Sequence, residues 1–121
     1  MLRNNLYKVL ESNTTGETIN SRISFDRSHP IFDGHFPGQP VVPGVCMMQI
    51  LRELMEDHSG QKLRITYGDN LKFLAVINPD ENKEVDVALT YKVADDSYNV
   101  TGSILTSSTT FFKFKGTFQK A

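Results

Sequence analysis

The chain has 121 residues, of which 39% are hydrophobic, and its 13 basic and 14 acidic side chains leave a net charge of −1. This balance disfavours a disordered chain and lacks the basic surplus typical of proteins that bind nucleic acid. No apolar run approaches the roughly 18 residues of a transmembrane helix, and the single cysteine, Cys46, excludes an internal disulfide and a thiolate zinc cluster. With no signal-peptide pattern at the N-terminus, we expect one soluble, cytoplasmic domain over residues 1–121, with no metal and no cofactor.

The predicted elements begin with two short strands. The segments LYKVLES and INSRISF, residues 6–12 and 19–25, can pair across a turn at residues 14–16. A loop rich in proline and glycine follows at residues 29–44, and these residue types hold it in few shapes at little entropic cost. A rigid crossover is the simplest interpretation of this loop, but it also carries His35.

One helix is predicted after this loop. Pro43 and Gly44 suit a helix entry, because proline is tolerated in the first turn and glycine permits a close backbone approach. Residues 45–51 are apolar except for Gln49, and Gly60 is the expected stop. The apolar start indicates a helix that is largely buried.

The second half of the chain predicts strands. Apolar residues alternate through residues 63–73, 85–93, 98–104 and 112–118, and short polar turns separate these runs. The alternation places the following residues on buried faces: Leu63, Ile65, Tyr67, Leu71, Phe73, Val85, Val87, Leu89, Tyr91 and Val93. One helix and at least five antiparallel strands predict an α+β domain, with the helix on the concave face of a curved sheet.

His35 is the candidate for chemistry in the loop. It precedes a helix N-terminus, where backbone N–H groups without helical acceptors can stabilise a developing oxyanion. An imidazole beside such donors can remove a proton next to a carbonyl group. From these residues alone, a catalytic loop and a purely structural loop both remain open.

The segment HFPGQPVVPGV, residues 35–45, followed by a helix, resembles the signature of 3-hydroxyacyl-[acyl carrier protein] dehydratases of the hot-dog fold. The resemblance continues through LKFLAVINPDENKEVDVALTYK, residues 71–92, and covers roughly residues 19–118. It implies a curved antiparallel sheet wrapped around one central helix. It also implies reversible removal of water from an acyl thioester on acyl carrier protein or coenzyme A, as in fatty acid biosynthesis. The expected partner is a second subunit, in a homodimer or a heterodimer. We expect no binding to nucleic acid or to a membrane.

The resemblance also implies roles for individual residues. His35 would remove the proton α to the thioester carbonyl, while the amides of Gly44 and Val45 would hold that carbonyl. The family's acid, a Glu or Asp contributed by the other subunit, corresponds to position 49, where this chain has Gln49. An amide has no proton to exchange near neutral pH, so a dehydratase site would lose about 10²–10⁴-fold in rate. We therefore expect Gln49 to orient the 3-hydroxyl group or a water molecule.

Three explanations of the substitution remain open. Glu53 lies one helical turn further along the same face and could supply the acid. A homologous partner subunit could carry the missing carboxylate, or the chain could bind acyl thioesters as an inactive accessory subunit. By spacing alone, Gln49, Arg52, Glu53 and Glu56 form the solvated polar stripe of an ordinary amphipathic helix.

Two further questions concern the substrate. Phe36 and Met48, together with Phe32 and Met47, could line a tunnel for the acyl chain, although plain core packing is the simpler explanation for each of these apolar residues. Thioester hydrolysis, with His35 or a carboxylate activating water, is the second enzymatic alternative.

Overall fold

The described part of the chain folds into six antiparallel strands and one long helix. The structure is a computed structural model that describes residues 2–33 and 40–121. The elements are β1 (Tyr7–Thr15), β2 (Thr18–Phe25), α1 (Gly44–Ser59), β3 (Leu63–Phe73), β4 (Glu84–Ala94), β5 (Ser97–Leu105) and β6 (Thr110–Lys120), with a 3-10 turn at Pro30–Phe32. The predicted α+β class is confirmed.

The strands form one sheet in the order β1-β2-β4-β5-β6-β3. The predicted hairpin at the N-terminus is confirmed, since β1 pairs with β2 up to the Thr15–Thr18 register. The strands β4, β5 and β6 form a meander, as expected from their short turns. Strand β3 crosses to the far side and pairs with β6, so β1 and β3 are the two edges of the sheet.

The alternating apolar residues form the inner face of the sheet. Most of those on β4 and β6 are buried, including Val87, Leu89, Phe112 and Phe118. The prediction is wrong for Val93, which is 65% exposed. The last helical turn reaches Tyr91 through His58, whose Nε2 lies 2.8 Å from the tyrosine hydroxyl, and Val93 lies one repeat further along the strand.

Strand β3 also departs from the expected burial. Tyr67, Leu71 and Phe73 are 61%, 36% and 54% exposed, although all three follow the predicted alternation. Two register shifts interrupt the pairing of β3 with β6, and no strand of the described chain covers the other side of this edge. Apolar and polar residues therefore keep alternating along β3 beyond the point where the hydrophobic core ends.

Helix α1 lies against the inner face of the sheet. Its buried side consists of Cys46, Met47, Ile50, Leu51, Leu54 and Met55. Pro43 caps the start in an extended conformation, and Gly60 ends the helix in the left-handed region at φ 70°. Glycine is favoured in that region because it carries no Cβ. The predicted helix boundaries are confirmed.

Within the described ranges, no helix is both long enough and apolar enough to cross a bilayer.

Candidate active site

The predicted site residues divide into two groups. His35 and Phe36 fall within residues 34–39, outside the described residues, so their roles stay predictions. The other four, Gly44, Val45, Met48 and Gln49, lie on the first two turns of α1. The start of this helix is therefore where the predicted site can be compared with geometry.

The first backbone amides of α1 are the donors that the predicted carbonyl clamp would use. The amides of Cys46 and Met47 both donate to the carbonyl oxygen of Pro43, at 3.0 and 3.2 Å. Those of Gly44 and Val45 precede the first helical hydrogen bond, so helix geometry gives them no acceptor within α1. Such amides, at the positive end of the helix dipole, can stabilise an oxygen that gains negative charge.

An apolar groove of about 530 Å³ opens beside this helix start. Its lining comprises Val41, Val42, Pro43, Gly44, Met47, Phe73, Leu74, Ala75 and Val76. The Val42 amide donates to the Ile77 carbonyl oxygen at 2.9 Å, which fastens the two walls together. The groove has the apolar character that an acyl chain would need.

Gly44 is required for the shape of this groove. A Cβ atom at this position would lie 2.7 Å from Cε1 of Phe73, closer than atoms can pack. The Phe73 ring also stacks on Phe112, with 4.9 Å between ring centroids. The missing side chain of Gly44 therefore lets an aromatic ring rest on the helix start.

The other apolar candidates differ in position. Met47 lines the groove and is also buried against the core. Phe32 is buried in the core, and Met48 is a partly buried residue packed against it. Of these three, only Met47 contributes to the described groove.

Gln49 is held by a neighbour on its own helix. Its Nε2 atom donates to Oε2 of Glu53 at 2.8 Å. Gln49 follows Gly44 by five positions, which corresponds to about 140° around an α-helix. The Gln49 side chain and the groove beside Gly44 thus face different sides of α1 in one protomer.

The carboxylate of Glu53 accepts four hydrogen bonds, two on each oxygen. Oε2 accepts from the Leu2 amide at 3.0 Å and from Gln49. Oε1 accepts from the Arg3 amide at 2.8 Å and from the Tyr7 hydroxyl at 3.0 Å. Glu53 and Tyr7 are both 0% exposed. The N-terminal segment therefore encloses a carboxylate that lies on the helix next to Gln49.

These contacts determine the charge of Glu53. Burial alone would raise its pKa, but the hydrogen bonds from its four donors outweigh burial, and the pKa is lowered from the ordinary value. Burial and the nearby charge of Glu53 raise the pKa of Tyr7, which keeps that hydroxyl protonated as a donor. Glu53 is thus ionised at neutral pH and has no proton to give as a general acid.

The prediction that the polar stripe of α1 is exposed to solvent is therefore wrong for Glu53. This residue is the most completely buried charged residue in the described chain. Spacing along α1 could not reveal this, because three of its donors come from residues 46 to 51 positions earlier in the chain. The sequence carried no signal for these contacts, because two of the three distant donors are backbone amides, which almost any residue supplies.

Two other side chains that can ionise, Cys46 and His29, have structural surroundings. Cys46 is buried, and burial raises the pKa of its thiol, as expected for a cysteine that is not a nucleophile. Nδ1 of His29 accepts from the Ile31 amide at 3.0 Å. Within residues 2–33 and 40–121, no three His, Cys, Asp or Glu side chains converge as metal ligands.

Comparisons with known proteins agree with this architecture. The model of the ApeI-like family, described as ApeI dehydratase, matches residues 11–110. A 3-hydroxyacyl-[acyl-carrier-protein] dehydratase FabZ from Chloroflexus aggregans is 29% identical over 69 residues, covering 51% of this chain and 48% of that protein. The FabZ of Caulobacter vibrioides is 28% identical over 98 residues, covering 74% of this chain and 52% of that protein. The chain spans about half the length of the curated relatives it matches.

Solved structures share the fold. The dehydratase heterocomplex ApeI:P from Xenorhabdus doucetiae superposes with a TM-score of 0.74 at 14% identity, covering 93% of this chain and 96% of that one. An uncharacterized protein from Erwinia carotovora subsp. atroseptica gives a TM-score of 0.64 at 24% identity, covering 93% and 91% of the two chains. These likenesses confirm the hot-dog fold that the loop signature implied.

Proposed function

Because this chain belongs to the ApeI-like dehydratase family, we propose that it acts on 3-hydroxyacyl thioesters as a dehydratase subunit. The substrate would be carried by acyl carrier protein or coenzyme A, and the reaction would run reversibly between the 3-hydroxyacyl and enoyl thioesters. The observation that carries the proposal is the helix start, where Gly44 lines an apolar groove and the amides of Gly44 and Val45 have no acceptor within α1. We propose that this reaction takes place in the cytoplasm.

The proposed chemistry assigns one task to each group. The imidazole of His35 takes the α proton, and the electron pair of that C–H bond forms the new Cα–Cβ double bond. The Gly44 and Val45 amides hold the thioester oxygen while it carries negative charge. The Cβ–O bond breaks, and the departing hydroxide must receive one proton to leave as water.

Neither Gln49 nor Glu53 can supply that last proton readily. Gln49 is an amide, and Glu53 is ionised and fully enclosed by donors. We propose that a second subunit completes the site; a homologous subunit with a carboxylate at this position would supply the proton, whereas a second copy of this chain would bring only another Gln49. The 140° separation of Gln49 from Gly44 supports this, because one protomer presents them on different sides of α1.

The edge of the sheet beside the groove suits such a partner. Apolar side chains are exposed there on β3 and immediately after it, namely Tyr67, Phe73, Leu74 and Val76. An exposed edge strand offers unpaired backbone groups to another strand, and exposed apolar patches mark interaction surfaces. We therefore place the second subunit against β3.

One observation favours a second candidate function. Because Gln49 and Glu53 form a closed pair without a transferable proton, this chain would also suit an accessory subunit that binds acyl thioesters without converting them. In that case the partner alone would carry a complete set of catalytic groups.

A hydration assay on crotonyl thioesters of coenzyme A and of acyl carrier protein tests these functions. Formation of 3-hydroxyacyl thioester, detected by mass spectrometry and abolished by His35→Ala, would support the dehydratase. Release of free acid and thiol would instead identify a hydrolase. Tight thioester binding with no His35-dependent product would identify an accessory subunit. The absence of both binding and product would refute the proposal.

A further inference from the structure

The contact between Gln49 and Glu53 fixes which end of the Gln49 amide faces the carboxylate. An ionised carboxylate only accepts hydrogen bonds, so the NH₂ group must face it and the carbonyl oxygen must not. The 2.8 Å distance from Nε2 to Oε2 has this arrangement. The amide therefore has one orientation, although its two ends have nearly the same shape.

The opposite end of the amide remains available for a ligand. Gln49 is partly exposed, and within the described residues its Oε1 atom accepts no hydrogen bond. One Nε2 hydrogen is occupied by Glu53. The second Nε2 hydrogen remains a donor, so it is a group approaching on the carbonyl side, away from Glu53, that meets an acceptor.

We propose that Glu53 is a positioning residue that makes Gln49 a hydrogen-bond acceptor in the substrate site, so that the site selects thioesters with a hydroxyl group at C3. This rests on the proposed function. A 3-hydroxyacyl group donates a hydrogen bond to Oε1. A 3-oxoacyl group has only an acceptor oxygen at C3, which would be repelled by the partial negative charge of Oε1. A saturated acyl group neither donates nor accepts at C3.

The N-terminal segment maintains this orientation. If Glu53 could rotate or take up a proton, it could donate to Gln49 and reverse the amide. The two backbone amides of Leu2 and Arg3 and the Tyr7 hydroxyl occupy both carboxylate oxygens and leave one position, which Gln49 fills. Residues distant in sequence from the helix thereby determine the specificity of a residue on it.

The proposal is tested by binding of three pantetheine amides with equal chain length, carrying 3-hydroxybutyryl, 3-oxobutyryl or butyryl groups. The amide linkage makes the α protons less acidic, so binding is measured without turnover. The wild type is expected to bind the 3-hydroxy compound about 2- to 10-fold more tightly than butyryl, the net worth of one hydrogen bond. The 3-oxo compound is expected to bind more weakly than butyryl.

The variants separate positioning from structural support. Glu53→Gln should reduce the preference for the hydroxyl group to less than about twofold, because an amide at position 53 no longer dictates the orientation of Gln49. Gln49→Met, which keeps the length of the side chain, should remove the preference, because a thioether is only a weak acceptor. Glu84→Gln, which removes an exposed carboxylate on β4, is the matched control and should leave the ratio unchanged. A ratio of affinities within one variant is insensitive to a loss of stability.

A second readout does not depend on a ligand. The side-chain NH₂ resonances of Gln49, assigned by their loss in Gln49→Met, should show one proton protected from exchange in wild type and unprotected in Glu53→Gln. Equal binding of the 3-hydroxy and 3-oxo compounds, or an unchanged ratio in Glu53→Gln, would overturn the proposal. If no compound binds, the proposed function and the selectivity both fail, whereas the NH₂ resonances still report the orientation of the amide.

Discussion

Nε2 of Gln49 lies 2.8 Å from Oε2 of Glu53, one helical turn further along α1. This contact joins the position where the dehydratase signature expects an acid to the most deeply buried carboxylate of the described chain. The glutamine at this position therefore belongs to a hydrogen-bonded pair, in which the charge of Glu53 determines whether the amide presents its carbonyl oxygen or its NH₂ group to a ligand.

The enclosure of Glu53 predicts a large contribution to stability. Glu53→Gln places an NH₂ group against backbone amides that already donate, and should lower the free energy of unfolding by about 3 kcal/mol. Tyr7→Phe removes one donor and should cost about 1 kcal/mol. The exposed-site control Glu84→Gln should remain within about 0.5 kcal/mol of wild type in urea unfolding. A similar small effect for Glu53→Gln would show that the four hydrogen bonds do not form.

The lowered pKa of Glu53 predicts a loss of stability in acid. Between its folded pKa and the ordinary value of about 4.3, the unfolded chain binds more protons, so stability rises with pH in this interval. The contribution of Glu53 is complete above about pH 4.3 and is lost as the pH falls from there through the folded pKa.

Urea unfolding of wild type and Glu53→Gln from pH 3 to pH 7, at constant ionic strength, measures this contribution. The difference in free energy of unfolding between the two proteins should shrink below about pH 4.3. A difference that is constant over the whole range, or that grows in acid, would contradict an ionised Glu53.

The elements that local patterns describe were predictable from the sequence, and the contacts of Glu53 were not. Helix α1 begins and ends where Pro43, Gly44 and Gly60 indicate, because capping depends on residues within one turn. The burial of Glu53 depends on Leu2, Arg3 and Tyr7, which a helical pattern does not include.

The exposed residues of β3 and β4 have a similar explanation. Alternation predicts which face a side chain occupies, but burial also requires something to cover that face. The helix ends before it reaches Val93, and β3 is an edge strand on which Phe73 stays half exposed. The catalytic role of His35 rests on the sequence signature alone.

The contact between Gly44 and Phe73 predicts an effect on binding with little effect on folding. Gly44→Ala brings a methyl group within 2.7 Å of the Phe73 ring, which is half exposed and can rotate away. The free energy of unfolding should change by less than about 1 kcal/mol, because the ring moves into solvent. Butyryl-thioester binding should weaken by about tenfold, because the displaced ring reshapes the groove.

The double variant Gly44→Ala/Phe73→Ala provides the control for this contact. Removal of the ring should make the methyl group harmless, so the two substitutions should be clearly non-additive in binding. Additive effects would show that Gly44 acts independently of Phe73.

The exposed edge at β3 predicts that one substitution there separates the subunits. Leu74→Asp places a charge on an apolar side chain that is 53% exposed beside the groove, and should shift the protein to monomer in analytical ultracentrifugation. Leu10→Asp is the matched control, since Leu10 is 47% exposed on the opposite edge strand β1. Dissociation by Leu10→Asp but not by Leu74→Asp would show that the subunits meet at β1, and would contradict an interface at β3.

The central claim is that this chain has a dehydratase site whose acid has been replaced, and the rate of crotonyl-thioester hydration tests it most directly. Gln49→Glu puts a second carboxyl group beside Glu53, and like-charge repulsion should raise its pKa so that it holds a proton near neutral pH. We expect this variant to hydrate crotonyl thioester about 10²-fold faster than wild type, and His35→Ala to abolish the gain. An unchanged rate in Gln49→Glu, or a gain that survives His35→Ala, would contradict the account.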